Sequence, residues 1–289
     1  MEIVTNMRTV SFFISVMSYD EGRRHRIHTI HTVVQQIFYS LEELLKQTGY
    51  IKSSEVSEIM KLVMNGDDLG YTLANTLGII EAYRNGIVRS TTAMVNMPYI
   101  EQAVRLTEDC TDLGIGVHLV LTAGRPLTQN RTLTDENGNF LKQRVLRETE
   151  VDTDEVYTEW KAQIERFREL FGRMPTHIDS HHGVHSNIEK LRPVVQRLGR
   201  EYGLEIRYMG KYKLVNGFYE EGSTKENLMK ILSEHPDEEI EIMCHPGFCD
   251  LELYRNSSYS LQRVKELDIL CSDELKNFVA EHQIELIHY

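Results

Sequence analysis

No stretch of this chain approaches the about 18 consecutive apolar residues that a membrane-crossing helix requires, so a transmembrane span is not expected. Basic charge is scarce. The 32 Lys and Arg residues face 44 Asp and Glu, a formal net charge of −12, which argues against nucleic acid or an anionic membrane surface as a partner. The one basic run, Arg23-Arg24-His25-Arg26, is too short to offset that balance. Cysteine is sparse as well. Cys110, Cys244, Cys249 and Cys271 lie apart, and Cys244 and Cys249 lack the CxxC spacing of a zinc knuckle or redox pair. All four are expected to be reduced, mostly buried thiols of a cytoplasmic protein. Neither GxGxxG nor a P-loop lysine motif occurs, which counts against a nucleotide-binding sheet. Residues 9–17 are apolar but short, and acidic then basic residues follow them where a signal peptide would have a small-residue cleavage site.

What is present suffices for a core: 41% of the 289 residues are apolar, and the length suits one or two domains. Residues 1–59 do not resemble the rest. They offer a strand near Val10–Val16, an amphipathic helix near Val33–Leu45, and a cluster of His25, His28 and His31 with no carboxylate or Cys to complete a ligand set. Met60 opens a pattern that looks like a natural start, Met-Lys-Leu-Val-Met-Asn-Gly-Asp-Asp. Residues 1–59 are therefore expected to be an atypical extension, poorly packed or placed upstream of the true start. Residues 60–289 are expected to form the functional domain.

From Met60 strands alternate with helices. Strands are predicted over Lys61–Met64, Thr91–Met97, Gly114–Thr122, Thr176–His181, Glu205–Met209, Glu239–Cys244 and Glu285–His288. Helices are predicted over Leu73–Asn85, Tyr99–Thr107, Asp154–Phe171, Asn187–Tyr202, Thr224–Leu232 and Asp273–His282, and a long loop over Ala123–Gly138. Such repeated units imply an α/β fold whose mainly parallel sheet is covered by helices, closed into a (β/α) barrel of regular or irregular outline. A doubly wound open sheet is the alternative.

The stretch Thr176–His185, Thr-His-Ile-Asp-Ser-His-His-Gly-Val-His, concentrates four histidines and an aspartate in ten residues. In a strand, His177, Asp179 and His181 share a face, and imidazoles with a carboxylate suit a divalent metal. Asp67 and Asp68 follow the first strand, His118 sits on another, and His245 ends a fourth. Strand ends converge at the C-terminal face of a (β/α) barrel, where active sites lie. A catalytic metal commonly takes three protein ligands, and His118, His181 and either Asp67 or Asp68 fit that number. The other aspartate is then free to accept a proton from the attacking water, with the two side chains on different faces of the strand. His245 can donate a proton to a leaving group, and His177 and Asp179 can orient ligands from behind. His182 and His185 are equally readable as cleft lining or as surface.

Val63-Met64-Asn65-Gly66-Asp67-Asp68-Leu69-Gly70 resembles the NADDFG opening of the YdjC-like carbohydrate deacetylases, the group that includes chitooligosaccharide deacetylase. Gly116–Thr122, Pro175–His185 and Met243–Gly247 resemble its later motifs in the family's order, and Gly78–Asn96 also matches. The likeness runs from about Lys61 to the C-terminus. It implies a barrel of the glycoside hydrolase/deacetylase type and a metal-dependent hydrolase that removes acetyl from N-acetylglucosamine units of short oligosaccharides such as diacetylchitobiose, with phosphorylated and unphosphorylated substrates both open. By the same resemblance Asp68, His118 and His181 hold one Mg²⁺ per chain, Asp67 is the general base, His245 is the general acid, and the enzyme is a homodimer. Zn²⁺ is the alternative ion, since it too suits two His and one carboxylate. Departures are Gly66 for Ala, Leu69 for Phe, and Gly183 where a third consecutive His is frequent. Arg125, in the loop after the His118 strand, is first readable as a solvated loop charge and second as a candidate for contact with sugar hydroxyls or a sugar phosphate. The competing readings are a phosphoesterase on a similar barrel, which would hold two or three metals, and a non-catalytic sugar-binding protein, which would need neither a spare Asp nor a spare His.

Overall fold

The computed structural model describes residues 59–289. The strand, the helix and the His25, His28 and His31 cluster expected before them lie outside the described residues. The chain runs through β1 (Lys61–Leu69), α1 (Leu73–Asn85), β2 (Ser90–Ala93), α2 (Ile100–Leu106), β3 (Gly114–Leu119), α3 (Gln143–Glu148), α4 (Thr153–Phe171) and β4 (His177–Ser180). It continues with α5 (Val184–Asn187), α6 (Arg192–Tyr202), β5 (Glu205–Ile206), β6 (Lys213–Leu214), α7 (Lys225–Ser233) and β7 (Glu239–Cys244). Helices α8 (Leu251–Asn256), α9 (Leu261–Cys271) and α10 (Asp273–Glu281) precede β8 (Glu285–Ile287). None of the described helices is long and apolar enough to cross a membrane.

The strands are parallel, in the order β5-β4-β3-β2-β1-β7-β6. Read around the ring this is sequence order, with β5 and β6 at the two ends of the hydrogen-bonded path. A doubly wound sheet instead reverses its order at a switch point, so the sheet is a curled, incomplete barrel. β8 pairs with Lys61–Val63 of β1, while β2 pairs with the same strand from Asn65 onward.

Side-chain alternation sorts the strands into an apolar outside and a polar inside. Leu62 and Met64 of β1 join Ile240 and Ile242 of β7 and Leu270 and Leu275 from the covering helices in one apolar cluster. Ile115, Val117 and Leu119 of β3 and Ile178 of β4 meet Val156, Trp160, Ile164 and Phe167 of α4 in the other. Each such large side chain contributes about 1.5–3 kcal/mol by burial. The inward positions carry Asn65, Asp67, His118, His177, Asp179 and Glu241, all buried. That polar interior is sustained only by the hydrogen bonds and ion pairs described below.

Two glycines are fixed by close approach. A Cβ on Gly116 would lie 2.6 Å from the His177 ring, and one on Gly78 would lie 2.4 Å from the Gly247 Cα, where α1 packs on the His245-Pro246-Gly247 turn. α4 is capped at its start by Asp152, which accepts from the Asp154 N–H, and at its end by Gly172 with φ 64°. Buried Glu159 of α4 accepts from the N–H groups of Leu127 and Thr128 and so anchors the long loop after β3. The helix expected over Asn187–Tyr202 is shorter, because Pro193 sits in its first turn and fixes its start at Arg192. The strand expected to end at Met64 runs on to Leu69, which places Asp67 and Asp68 inside β1.

Candidate metal centre

The end of β1 is irregular. Its pairing with β2 shifts register between Gly66 and Leu69, and Asp68 has φ 75°, a left-handed conformation that costs a non-glycine residue about 1–3 kcal/mol. Consecutive strand residues face opposite ways, which is the expectation for Asp67 and Asp68. The bulge removes that separation, and both line one cavity of about 860 Å³. The strained turn is held by Asn75 Nδ2, which donates to the Asp68 carbonyl at 2.9 Å, and by Arg263 Nη2, which donates to Asp68 Oδ2 at 2.6 Å.

Asp68 Oδ1 lies 2.9 Å from His181 Nδ1 and 3.1 Å from His118 Nε2. Ligand atoms from these three residues all fall within 4.8 Å of one another. Two ligands bound at about 2.1 Å and at right angles to each other stand roughly 3.0 Å apart, so the spacing fits one small cation. Orientation supports this. His118 Nδ1 lies 2.5 Å from Asp179 Oδ1, so Nε2 is the ring atom turned to the shared position; once it has lost its proton it would face an ion as a metal-ligating histidine backed by a carboxylate does. Thr92 Oγ1 donates to Asp179 Oδ2 at 3.2 Å and steadies that partner.

Charge leads to the same place. The buried carboxylates Asp67, Asp68, Asp179 and Glu241 face two buried guanidinium groups, Arg207 and Arg263. With Glu266 also buried beside Arg263, the negative excess exceeds what one divalent ion would offset, and such an ion would supply part of it. Without one, protons make up part of it. Burial pushes Asp67 up, although Arg207 resists, and burial likewise pushes Glu241 up. Burial opposes charge on His118, yet the Asp179 and Asp68 carboxylates outweigh it and raise the imidazole to about 10. Asp68 is also penalised by burial, but His181 and Arg263 hold it well below the usual carboxylate range.

A ligand must be deprotonated, so cation binding has to displace the His118 proton. Metal affinity is therefore expected to weaken about tenfold per unit as pH falls from 8 to 6, one proton being released per ion. Calorimetric titrations across that range, in buffers of different ionisation enthalpy, would check it. An affinity independent of pH would be inconsistent with a proton held at this position.

Asp67, His118 and Asp179 form a second cluster of metal-ligand geometry. It is already filled by protein: Arg207 Nη1 donates to Asp67 Oδ1 at 2.7 Å and to Asp179 Oδ2 at 2.9 Å, and its Nε lies 3.7 Å from Glu241 Oε1. A fixed guanidinium there leaves one opening for an ion, which counts against a two-metal phosphoesterase.

His245, at the end of β7, lines the same cavity. Its backbone N–H donates to Glu266 Oε2 at 2.5 Å, and its ring Nδ1 is buried without a partner among the described residues. Burial, with Arg263 nearby, lowers the imidazole to about 3, so the resting ring is neutral. Of the two residues expected behind the ligands, Asp179 stands against the His118 ring. His177 lies deeper in the interior, hydrogen-bonded to Thr176 Oγ1 at 2.9 Å and stacked on Tyr289 at 4.1 Å. Arg125 is exposed, donates to the Asn137 carbonyl at 3.1 Å and is not among the residues lining the cavity, since its loop carries it outward. His182 lines the cavity, whereas His185 is buried between Ser180 Oγ and the Arg207 carbonyl and braces the structure. Arg207, Arg263, Glu266 and Tyr259 went unread in the sequence, because a single Arg or Tyr in a helix or loop carries no periodic or motif signal.

Comparison with known proteins adds to this geometry. A family model described as YdjC-like protein matches residues 61–281. A carbohydrate deacetylase of Clostridium beijerinckii is 43% identical over 245 residues, covering 80% of this chain and 99% of that protein. One from Geobacillus stearothermophilus is 40% identical over 237 residues, covering 78% and 96%. A crystal structure from Enterococcus faecalis, described as a candidate cellobiose-phosphate cleavage protein, superposes with a TM-score of 0.76 at 37% identity, covering 81% of this chain and 98% of that one.

Proposed function

This chain belongs to the YdjC-like protein family, and from that membership we propose that it is a metal-dependent carbohydrate deacetylase. It hydrolyses the N-acetyl group of short acetylated oligosaccharides such as diacetylchitobiose, free or phosphorylated. The observation that carries the reading is the cluster of Asp68, His118 and His181 opening on a cavity that Asp67 and His245 also line. A non-catalytic sugar-binding protein would need neither of the last two.

Asp68, His118 and His181 would hold one divalent ion per chain, Mg²⁺ or Zn²⁺. Two imidazoles and a carboxylate suit Zn²⁺ by donor type, and Mg²⁺ would draw most of its remaining coordination from water. Such an ion supplies a nucleophile at neutral pH, by lowering the pKa of bound water toward ~7, and polarises the acetyl carbonyl. Asp67 takes the proton as water attacks; burial makes it a stronger base than an ordinary aspartate. The His245 ring is neutral at rest because burial and Arg263 outweigh the Asp68 carboxylate; it takes up a proton from solvent in the cavity as further anionic charge builds up beside it. It then delivers that proton to the leaving nitrogen, and the C–N bond breaks to give acetate and the amino sugar. Lys142 and Arg192 on the cavity wall give a phosphorylated sugar a cationic counterpart. The same reading has the enzyme acting in the cytoplasm as a homodimer, which sedimentation would check.

Acetate release from N-acetylated mono- and disaccharides, neutral and phosphorylated, tests the assignment. Chelation is expected to lower it by at least two orders of magnitude, and about one equivalent of ion to restore it. Undiminished release from metal-stripped protein would exclude the metal-dependent reading.

A further inference from the structure

The wall of the cavity beside His245 carries an aromatic surface that the mechanism does not use. Tyr219 is 41% exposed although it lines the cavity, and its ring centroid is 5.8 Å from that of His245. Behind it lies Tyr259, only 8% exposed, stacked at 4.7 Å with an interplanar angle of 7°. Tyr259 is itself fixed at its hydroxyl, which donates to Glu266 and accepts the Glu220 N–H at 3.1 Å. Glu266 Oε2 meanwhile accepts the His245 backbone N–H. One buried carboxylate thus holds both the residue beside the leaving nitrogen and the support beneath an outward-facing ring.

We propose that Tyr219 is a stacking platform for the pyranose ring that bears the acetamide, held in register with His245 through Tyr259 and Glu266. The inference rests on the deacetylase reading above. A group that protonates the leaving nitrogen must stand beside it, and that nitrogen is bonded directly to the sugar ring. A ring on the cavity wall whose centroid lies 5.8 Å from that group is therefore within reach of the sugar. A tyrosine face is electron-rich, and the C–H bonds on one side of a pyranose present the complementary partial charge and an apolar surface. Because Tyr259 supports it from behind, the platform is preorganised and loses little side-chain freedom when sugar binds.

The test is Tyr219→Ala beside Tyr219→Phe, with diacetylchitobiose as the probe. It combines direct calorimetric binding, in the Asp67→Asn background so that the sugar is not consumed, with KM and kcat in the otherwise native enzyme. Tyr219→Ala is expected to raise Kd and KM about tenfold, roughly 1.4 kcal/mol, with kcat changed less than threefold and metal content unchanged. Tyr219→Phe, which keeps the ring face, should stay within twofold of the native values. An unchanged Kd in Tyr219→Ala, or a Phe variant as weak as the Ala variant, would overturn the platform while leaving the deacetylase assignment standing. Native protein that binds the sugar tenfold better than Tyr219→Ala yet releases no acetate would support the platform and defeat the deacetylase reading.

Discussion

Asp67→Asn is expected to lower kcat for acetate release by about 10²–10⁴, the range for loss of a positioned general base, while one ion per chain still binds. The two effects separate because the contacts separate. Asp67 Oδ1 accepts from Asn65 Nδ2 at 2.8 Å and from Arg207 Nη1 at 2.7 Å, which leaves Oδ2 for the proton of the attacking water. An asparagine keeps the volume and an acceptor oxygen for both donors, but cannot take a proton. The ligands proposed for the ion are on Asp68, His118 and His181, so its affinity should change little. A loss of 10³ corresponds to about 4 kcal/mol of transition-state stabilisation. Metal content and turnover on one preparation decide the point. Native turnover would remove Asp67 from the base role, and loss of the ion together with activity would make Asp67 a ligand.

Arg207→Met is expected to have the largest effect on stability. The guanidinium is fully buried and stands among Asp67, Asp179 and Glu241, and removing one partner of a buried ion pair costs about 3–5 kcal/mol. In a domain of this size that lowers Tm by roughly 6–20 °C. The pH dependence carries a sign that a packing defect would not. In the native protein, burial works against the Asp179 carboxylate, but His118 and Arg207 outweigh it and hold its pKa below the unfolded value. Its stabilisation is therefore present above the ordinary aspartate range and is lost only in acid. Without Arg207, burial raises the pKa of the carboxylates that remain. Their protonated forms then favour folding, and that stability is lost as pH rises through the raised values. The deficit against native protein should thus be larger at pH 8 than at pH 5. Melting curves at both values would show it, and a Tm within about 2 °C of native at pH 8 would contradict the role given to Arg207.

Much of this architecture was legible because its causes are local. Alternating β and α patterns reflect one apolar face per element, and the inward polar residues fall at alternate positions of β1, β3, β4 and β7. Asp68, His118, His181, Asp67 and His245 could be marked because chemistry-bearing residues recur at strand ends. What stayed hidden depends on contacts distant in sequence. Nothing local in Asn65-Gly66-Asp67-Asp68 reveals that a register shift turns both aspartates inward, since that turn is held by Asn75 and Arg263 from other elements. Arg207 follows a two-residue strand at the edge of the sheet, and only the fold carries it 140 positions back to Asp67. Arg125 is readable in the sequence both as a solvated loop charge and as a sugar contact, and only the fold shows it exposed, bonded to the Asn137 carbonyl and off the cavity lining.

The central claim is that one cation sits among Asp68, His118 and His181, and anomalous scattering from crystals loaded with Zn²⁺ or Mn²⁺ addresses it most directly. A single peak per chain at about 2.0–2.2 Å from Asp68 Oδ1, His118 Nε2 and His181 Nδ1 is the expected result. A peak bound instead by Asp67 and Asp179, with Arg207 displaced, or no peak near these residues at saturating metal, would contradict it.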